Sequence, residues 1–185
     1  RVLITGGAGF IGGTLVRKLL LDTSFKIFNL DKLSYASDLK SIEQVLKKLN
    51  TKNQKRYEHL KIDLVNKQET DNVIKYVKPD FIFHFAAESH VDRSINGPEV
   101  FIQSNVIGTF NLLQSSQLYW EKEKRDYREN FRFHHISTDE VYGSLDDTGI
   151  FTEETNYSPR SPYSATKAAS DHLVNAWYHT YGLPT

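Results

Sequence analysis

Two hydrophobic periods alternate along this chain. Short, nearly continuous apolar runs, of which Val2-Leu3-Ile4 is the first, give way to stretches where apolar residues return every three or four positions, as at Leu15, Val16, Leu19 and Leu20. The runs have the length of buried strands and the stretches the spacing of amphipathic helices. The pattern predicts strands near 2–5, 25–30, 59–63, 81–85 and 131–137, and helices near 11–21, 39–49, 67–77, 98–119 and 163–181. Strands alternating with helices, without repeats or low-complexity linkers, specify an α/β fold: a doubly wound parallel sheet with helices on both faces. The charged stretch 121–130 breaks the periodicity and predicts a solvated loop.

The first strand ends at Thr5 and is followed by Gly6, Gly7, Ala8, Gly9, Phe10, Ile11 and Gly12 before the helical period begins. Gly6, Gly9 and Gly12 form a Gly-x-x-Gly-x-x-Gly turn, whose missing side chains let backbone amides at a helix start approach a pyrophosphate. The next apolar run ends in Asp31, about 20 residues on, where an acid accepts hydrogen bonds from an adenosine ribose. An acid there disfavours a 2′-phosphate, so the cofactor expected is NAD rather than NADP. A glycine turn closing an ordinary strand-helix unit leaves that acid unexplained, and the reading is a Rossmann-type, dinucleotide-binding domain over 1–185. Asp63 ends another predicted strand, either to meet the adenine amino group or to cap the helix starting near Asn66. After the fourth strand region, with His84, the small Ala86 and Ala87 leave room for a cofactor across the sheet. His90, Asp92 and Arg93 are read as a loop. One His-x-Asp completes no metal site, so no metal is expected. Arg93 either pairs with Asp92 or meets a phosphate.

Composition narrows the classes. The 185 residues, 39% of them hydrophobic, suffice for one domain with a sizeable core. The 23 basic and 23 acidic residues cancel, so no field argues for nucleic acid or an anionic membrane. There is no cysteine, hence no disulfide, thiolate nucleophile or cysteine-held metal. The apolar runs are too short and interrupted for a signal peptide or membrane span, which makes the cytoplasm the default. Methionine is absent even at position 1, so the chain reads as trimmed at its start.

The remaining chemistry lies in two segments. Tyr163 and Lys167 stand four residues apart in an alanine-rich helical stretch, on one face. A free phenol has a pKa of about 10 and becomes a useful base only if a cation stabilises its anion. A half-buried tyrosine and a surface lysine on an ordinary helix share that spacing. Upstream, Ser137, Thr138, Asp139 and Glu140 put hydroxyls beside two adjacent carboxylates. Neighbours in a straight strand face opposite ways, so both acids reach one substrate only if the chain turns here; Gly143 is compatible with such a turn. The alternative is helix capping.

At this point the residues resemble a known family. Thr5-Gly-Gly-Ala-Gly-Phe-Ile-Gly12, Asp31-Lys-Leu-Ser-Tyr-Ala36, Ala86-Ala-Glu-Ser-His-Val-Asp-Arg-Ser-Ile95, Asn105-Val-Ile-Gly-Thr109, His135-Ile-Ser-Thr-Asp-Glu-Val-Tyr-Gly143 and Ser161-Pro-Tyr-Ser-Ala-Thr-Lys-Ala-Ala-Ser-Asp171 are similar to the cofactor domain of extended short-chain dehydrogenase/reductases, in the dTDP-glucose 4,6-dehydratase branch. The resemblance implies oxidation of a nucleotide sugar at C4, loss of water across C5 and C6, and hydride return to C6, with NAD bound throughout. It assigns Tyr163 as base at the 4-hydroxyl and Lys167 to lower its pKa and hold the nicotinamide ribose. Glu140 takes the C5 proton, Asp139 protonates the departing 6-hydroxyl, and Thr138 assists near the 4-hydroxyl. To the cofactor it gives Gly6, Gly9, Phe10, Ile11, Gly12, Asp31, Lys32, Asp63, Leu64, Ala86, Ala87, Ser104, Tyr163 and Lys167. To the substrate it gives Ser89, His90, Arg93 and Thr138. Epimerases related to this family tend to carry small residues in place of Asp139 and Glu140, which favours dehydration; a nucleotide-sugar 4-epimerase, a UDP-glucose dehydratase and a silent dinucleotide-binding module are the alternatives. The family would continue past Gly182-Leu-Pro-Thr185 into another strand and a smaller nucleotide-gripping domain, so this stretch is expected to keep cofactor contacts without efficient turnover. A homodimer is implied through helices near 98–119 and 161–181, with Val106, Phe110, Leu113, Leu173 and Trp177 facing either the partner or the sheet.

Overall fold

A computed structural model describes residues 1–122, 129–145 and 148–185. Its centre is a parallel sheet of five strands, β1 (Val2–Thr5), β2 (Ile27–Leu30), β3 (Tyr57–Leu60), β4 (Phe81–His84) and β5 (Arg132–His135), in the order β3-β2-β1-β4-β5. Helices cover both faces: α1 (Phe10–Asp22), α2 (Lys40–Lys48), α3 (Thr51–Gln54), α4 (Lys67–Val77), α5 (Val91–Asn96), α6 (Pro98–Phe101), α7 (Gly108–Lys122) and α8 (Pro162–Tyr181). The continuous apolar run of β1 has a direct cause. Val2 and Ile4 pack with Val16 and Leu20 of α1 and Ile42 of α2, while Leu3 points the other way into Ile74, Val77, Leu112 and Leu113. A strand buried on both faces has no polar side to alternate with. Each such side chain contributes about 1.5–3 kcal/mol by leaving water.

The chain winds outward from β1 to β3 in one direction and through β4 to β5 in the other. The reversal lies between β1 and β4, and it opens a crevice at the carboxyl ends of those two strands.

Several expected elements are corrected. Residues 90–93 form no loop: His90 is the N-cap of α5, which carries Asp92 and Arg93. That helix has six residues and buries only Ser94, too little to leave a periodic apolar signal. The helix expected over 98–119 is α6, a π-helical turn at Ile102–Ile107 and then α7. The wide turn surrounds Asn105, whose side chain bonds to the Glu88 backbone in the loop after β4 and to the Thr166 hydroxyl on α8. The third strand runs from Tyr57 to Leu60 rather than over 59–63, fixed by register with β2. Residues 121–122 end α7 and 129–130 are also helical, as suits their Glu and Lys content; the rest of the expected loop lies outside the described residues. Leu113 is fully buried in the core, and Leu173 and Trp177 pack against the same cluster. Leu113 therefore faces the protein interior, and Leu173 and Trp177 turn part of their surface to it. Among the described residues no helix is long and apolar enough to cross a membrane.

Candidate active site

The glycine turn is built by steric necessity. Gly6 sits at φ +71°, where a Cβ would stand 2.6 Å from the Ala86 amide nitrogen, and a Cβ on Gly12 would stand 2.4 Å from the Gly6 carbonyl oxygen. The first glycine lets β1 leave the sheet against the exit of β4, and the last lets α1 begin against the turn. Gly9 caps α1 without a side-chain acceptor, so the amides of the first helical turn are not capped by it and face the crevice as anion-binding groups.

From this turn a cleft of about 480 Å³ crosses the sheet to α8. Gly6, Gly9, Phe10, Ile11, Gly12, Asp31, Lys32, Asp63, Leu64, Ala86, Ala87, Ser104, Tyr163 and Lys167 all line it, as do Ser89 and His90. The Asp31 carboxylate accepts from the Ala8 amide at 3.0 Å and from the Leu33 amide and Ser37 hydroxyl at 2.8 Å each. A carboxylate has about four acceptor positions, so a ribose hydroxyl at Asp31 shares it with the loop the carboxylate already orders. Asp63 accepts from the Val65 amide at 3.1 Å, whereas the cap of α4 is Asn66, which accepts from the Glu69 amide. Asp63 is thus a cleft residue with a local turn bond, not the helix cap. Lys32 pairs with buried Glu88 at 3.1 Å and donates to the Ser104 hydroxyl at 3.0 Å.

Beyond β5 the lining ends at Ser137; Thr138, Asp139 and Glu140 follow just outside it, where the chain turns as two adjacent carboxylates require. The Thr138 hydroxyl accepts from the Glu140 amide at 3.4 Å and caps a 3₁₀ turn, Asp139–Tyr142. Gly143 follows at φ +98°, where a Cβ would meet the Ser158 carbonyl oxygen at 2.7 Å. The turn directs the fields of both acids at Tyr163. Burial pushes the Tyr163 phenol above its ordinary pKa, the hydrogen bond with Thr138 pulls it down, and Glu140, Asp139 and Asp171 push it up again. Its net pKa is therefore raised, contrary to the lowering expected from Lys167. The reason is geometric: the Lys167 ammonium donates to the Ile136 carbonyl at 2.6 Å, while the nearby charges felt by the phenol are carboxylates. Lys167 itself, almost fully enclosed, is lowered by burial from 10.5 to about 8, with Asp171 opposing the shift.

Arg93 lies outside the cleft lining. Its guanidinium rests 3.8 Å over the Tyr35 ring, which stands 5.8 Å from the His90 ring. Among the described residues it forms no ion pair with Asp92. Sequence reasoning passed over Glu88, Asn105 and Asp171. The last accepts from His135, Ser137 and Tyr157, and it carried a legible signal, since it continues the Tyr163, Lys167 spacing by one more turn.

A family model described as GDP-mannose 4,6 dehydratase matches residues 3–185. The chain belongs to that family. It is 50% identical over 186 residues to dTDP-glucose 4,6-dehydratase of Neisseria meningitidis, covering 100% of this chain and 51% of that protein. The chain thus spans about half the length of the curated relatives it matches. Among solved structures, DesIV of Streptomyces venezuelae, a dTDP-glucose 4,6-dehydratase with NAD and TYD bound, superimposes with a TM-score of 0.84 at 39% identity, over 99% of this chain and 53% of that one. UDP-glucose 4-epimerase of Thermus thermophilus, in complex with NAD, reaches 0.80 at 27% identity, over 99% and 52%. The fold is thus shared by dehydratases and epimerases of this kind, and the higher identity lies with the dehydratases.

Proposed function

We propose that this chain is the cofactor-binding and proton-transferring domain of an NAD-dependent dTDP-glucose 4,6-dehydratase, a hydro-lyase that forms dTDP-4-keto-6-deoxyglucose for deoxysugar biosynthesis. The observation that carries the reading is the 3₁₀ turn that brings two neighbouring carboxylates, Asp139 and Glu140, to bear on Tyr163. An epimerase needs the phenol and the lysine but no acid-base pair for elimination.

The residues fit the dinucleotide: a glycine turn that a Cβ would fill, uncapped amides at the start of α1, and a buried Asp31 with acceptor capacity left. Bound there, NAD would supply a hydride acceptor at C4 early in the cycle and a donor to C6 at its end. Tyr163 removes the 4-hydroxyl proton, assisted by Thr138; its pKa, raised in the cofactor-free protein, would be brought down by the positive charge of the oxidised nicotinamide bound beside it. Lys167 stays charged at pH 7 and holds the ribose beside the phenol. With a ketone at C4 the C5 proton becomes acidic; Glu140 takes it, the C6–O bond breaks, and Asp139 delivers a proton to the departing hydroxide so that water leaves. When C6 has received its hydride, Glu140 returns a proton to C5, and Tyr163 loses to solvent, and Asp139 regains from it, one proton each. Ser89 and His90 line the sugar side of the cleft. Arg93, held on Tyr35 outside the cleft lining, is given no substrate contact.

A cytoplasmic homodimer belongs to the same proposal. On the helices named for the contact, Ile102, Ile107, Leu118, Tyr178 and Tyr181 remain exposed and supply its apolar surface in place of the buried Leu113 and the partly buried Leu173 and Trp177. Light scattering that finds a monomer of the full-length protein at micromolar concentration removes the dimer.

The test of the activity is mass spectrometry of sugar nucleotides after incubation of the full-length protein with dTDP-glucose or UDP-glucose, with and without NAD. Loss of one water from dTDP-glucose is expected. The same loss from UDP-glucose alone reassigns the nucleotide, an unchanged mass with inverted C4 makes it an epimerase, and no change in either supports a silent dinucleotide-binding module.

A further inference from the structure

We propose that Asp171 is a positioning residue, a clamp that ties the exit of β5 to α8 and so fixes Thr138, Asp139 and Glu140 against Tyr163 and Lys167. The inference rests on the dehydratase reading and extends it to a residue outside the reacting set. Three consecutive residues leaving β5 are each held by α8. His135 Nε2 meets Asp171 Oδ1 at 3.0 Å, the Ile136 carbonyl accepts from Lys167 at 2.6 Å, and the Ser137 hydroxyl donates to Asp171 Oδ2 at 2.5 Å. The residue after them is Thr138, which caps the catalytic turn. Tyr157 donates to the same Asp171 oxygen as Ser137, at 2.9 Å, and brings in the chain beyond Gly143 from the other side. A single carboxylate thereby fastens both ends of the segment that carries Asp139 and Glu140.

Only 8% of Asp171 is exposed, and a buried carboxylate is retained only when its lone pairs are filled. Burial raises its pKa, yet the bonds from His135, Ser137 and Tyr157 carry it below the ordinary carboxyl value, so it is charged. His135 does not neutralise it. Its Nδ1 is buried without a partner and its pKa is lowered, chiefly by burial, which leaves a neutral ring donating through Nε2. Lys167, one helical turn back and without a direct ion pair to Asp171, has its pKa, lowered by burial, pushed back up by that carboxylate's charge. The groups facing Lys167 are Asp171 on its own helix, His84 from β4 and His135 from β5. Those facing Tyr163 are Thr138, Asp139 and Glu140 from the 3₁₀ turn and Asp171 from its own helix. Asp171 is the acid that acts on both.

The test uses the full-length protein with its cofactor. D171N keeps the shape and removes the charge and one acceptor; D171E keeps the charge and moves it. For D171N the expected result is a kcat lower by about 10- to 100-fold with KM unchanged, as for a misplaced rather than a missing group. The ¹³Cε resonance of Lys167, assigned with K167R, should titrate about one pH unit lower than in the parent. D171E should restore that midpoint without restoring kcat, a split that a merely structural role does not produce. A folded D171N with parental kcat and an unmoved Lys167 midpoint overturns the proposal. If D171N does not fold, S137A and Y157F each remove one donor and leave the carboxylate; a several-fold lower kcat in both supports the clamp, and parental kcat in both overturns it. The lysine titration needs no turnover. If the parent protein does not dehydrate dTDP-glucose, the proposed function falls while the titration still decides for or against Asp171.

Discussion

The two ends of the cleft are made by different physics. At the glycine turn the backbone itself is the binding surface, and its shape follows from the absence of side chains at Gly6 and Gly12. At the Tyr163 end the bonds that join separate elements run from side chain to side chain or from a side chain to a carbonyl, drawn from β5, the 157 region and α8. The first end is local and steric; the second is non-local and electrostatic. Substitutions of the glycines at the first should therefore cost stability and cofactor binding, and those of Tyr163, Glu140 and Lys167 at the second should cost rate while leaving stability nearly unchanged or raising it.

The sharpest separation comes from the groups proposed to react. Tyr163→Phe and Glu140→Gln should each lower kcat by about 10²- to 10⁴-fold with the thermal midpoint little changed. Glu140→Gln should in addition abolish deuterium uptake from solvent at C5 of the sugar, read by mass spectrometry. Uptake at the parental rate would remove Glu140 as the C5 base.

Next in size are the glycines. Gly12→Ala forces a Cβ to within 2.4 Å of the Gly6 carbonyl, and Gly6→Ala adds a left-handed φ to a comparable overlap. Each should destabilise by about 3 kcal/mol or more, measured by urea titration, and should weaken NAD binding. A stable, NAD-binding Gly6→Ala would mean that the turn is not held as described.

Lys167 gives a smaller effect of opposite sign. A pKa that falls from 10.5 unfolded to about 8 folded means that the charged lysine costs about 3 kcal/mol in the fold. Loss of its bond to the Ile136 carbonyl takes back about 1 kcal/mol. Lys167→Met should abolish turnover yet stabilise the cofactor-free protein by about 2 kcal/mol at pH 7. The folded pKa is depressed, so the cost is fully present below about 8, shrinks as pH rises through that value and is gone above 10.5. The advantage of the variant should fade over the same window in denaturant titrations; an advantage that does not vary with pH would assign it to packing instead.

Gly9→Ala is the smallest. Its φ of −78° suits any residue and its Cβ would lie 3.2 Å from the Gly6 carbonyl oxygen, so a change of about 1 kcal/mol or less is expected. A loss as large as that of Gly12→Ala would show that spacing alone, not individual contacts, governs the turn.

The same contrast explains what could be read in advance. The doubly wound sheet, its strands to within a few residues, the glycine turn, Asp31 and the Tyr163–Lys167 face were legible because each rests on spacing within a short segment. Helix α5 was not, because six residues with one buried side chain carry no period. The π-helical turn was hidden in an unbroken helical pattern, since its cause is Asn105 reaching backbone and side chains far along the chain.

By itself the sequence determined the fold class and the glycine turn, and it put Tyr163 and Lys167 on one helix face, because those follow from residue type and local period. Only the tertiary structure decided that Asp139 and Glu140 share a turn whose charges act on Tyr163, that Lys167 donates to the Ile136 carbonyl, and that Asp171 ties β5 to α8. Burial and the summed field of distant charges set those outcomes, and neither quantity exists until strands and helices remote in sequence have packed together.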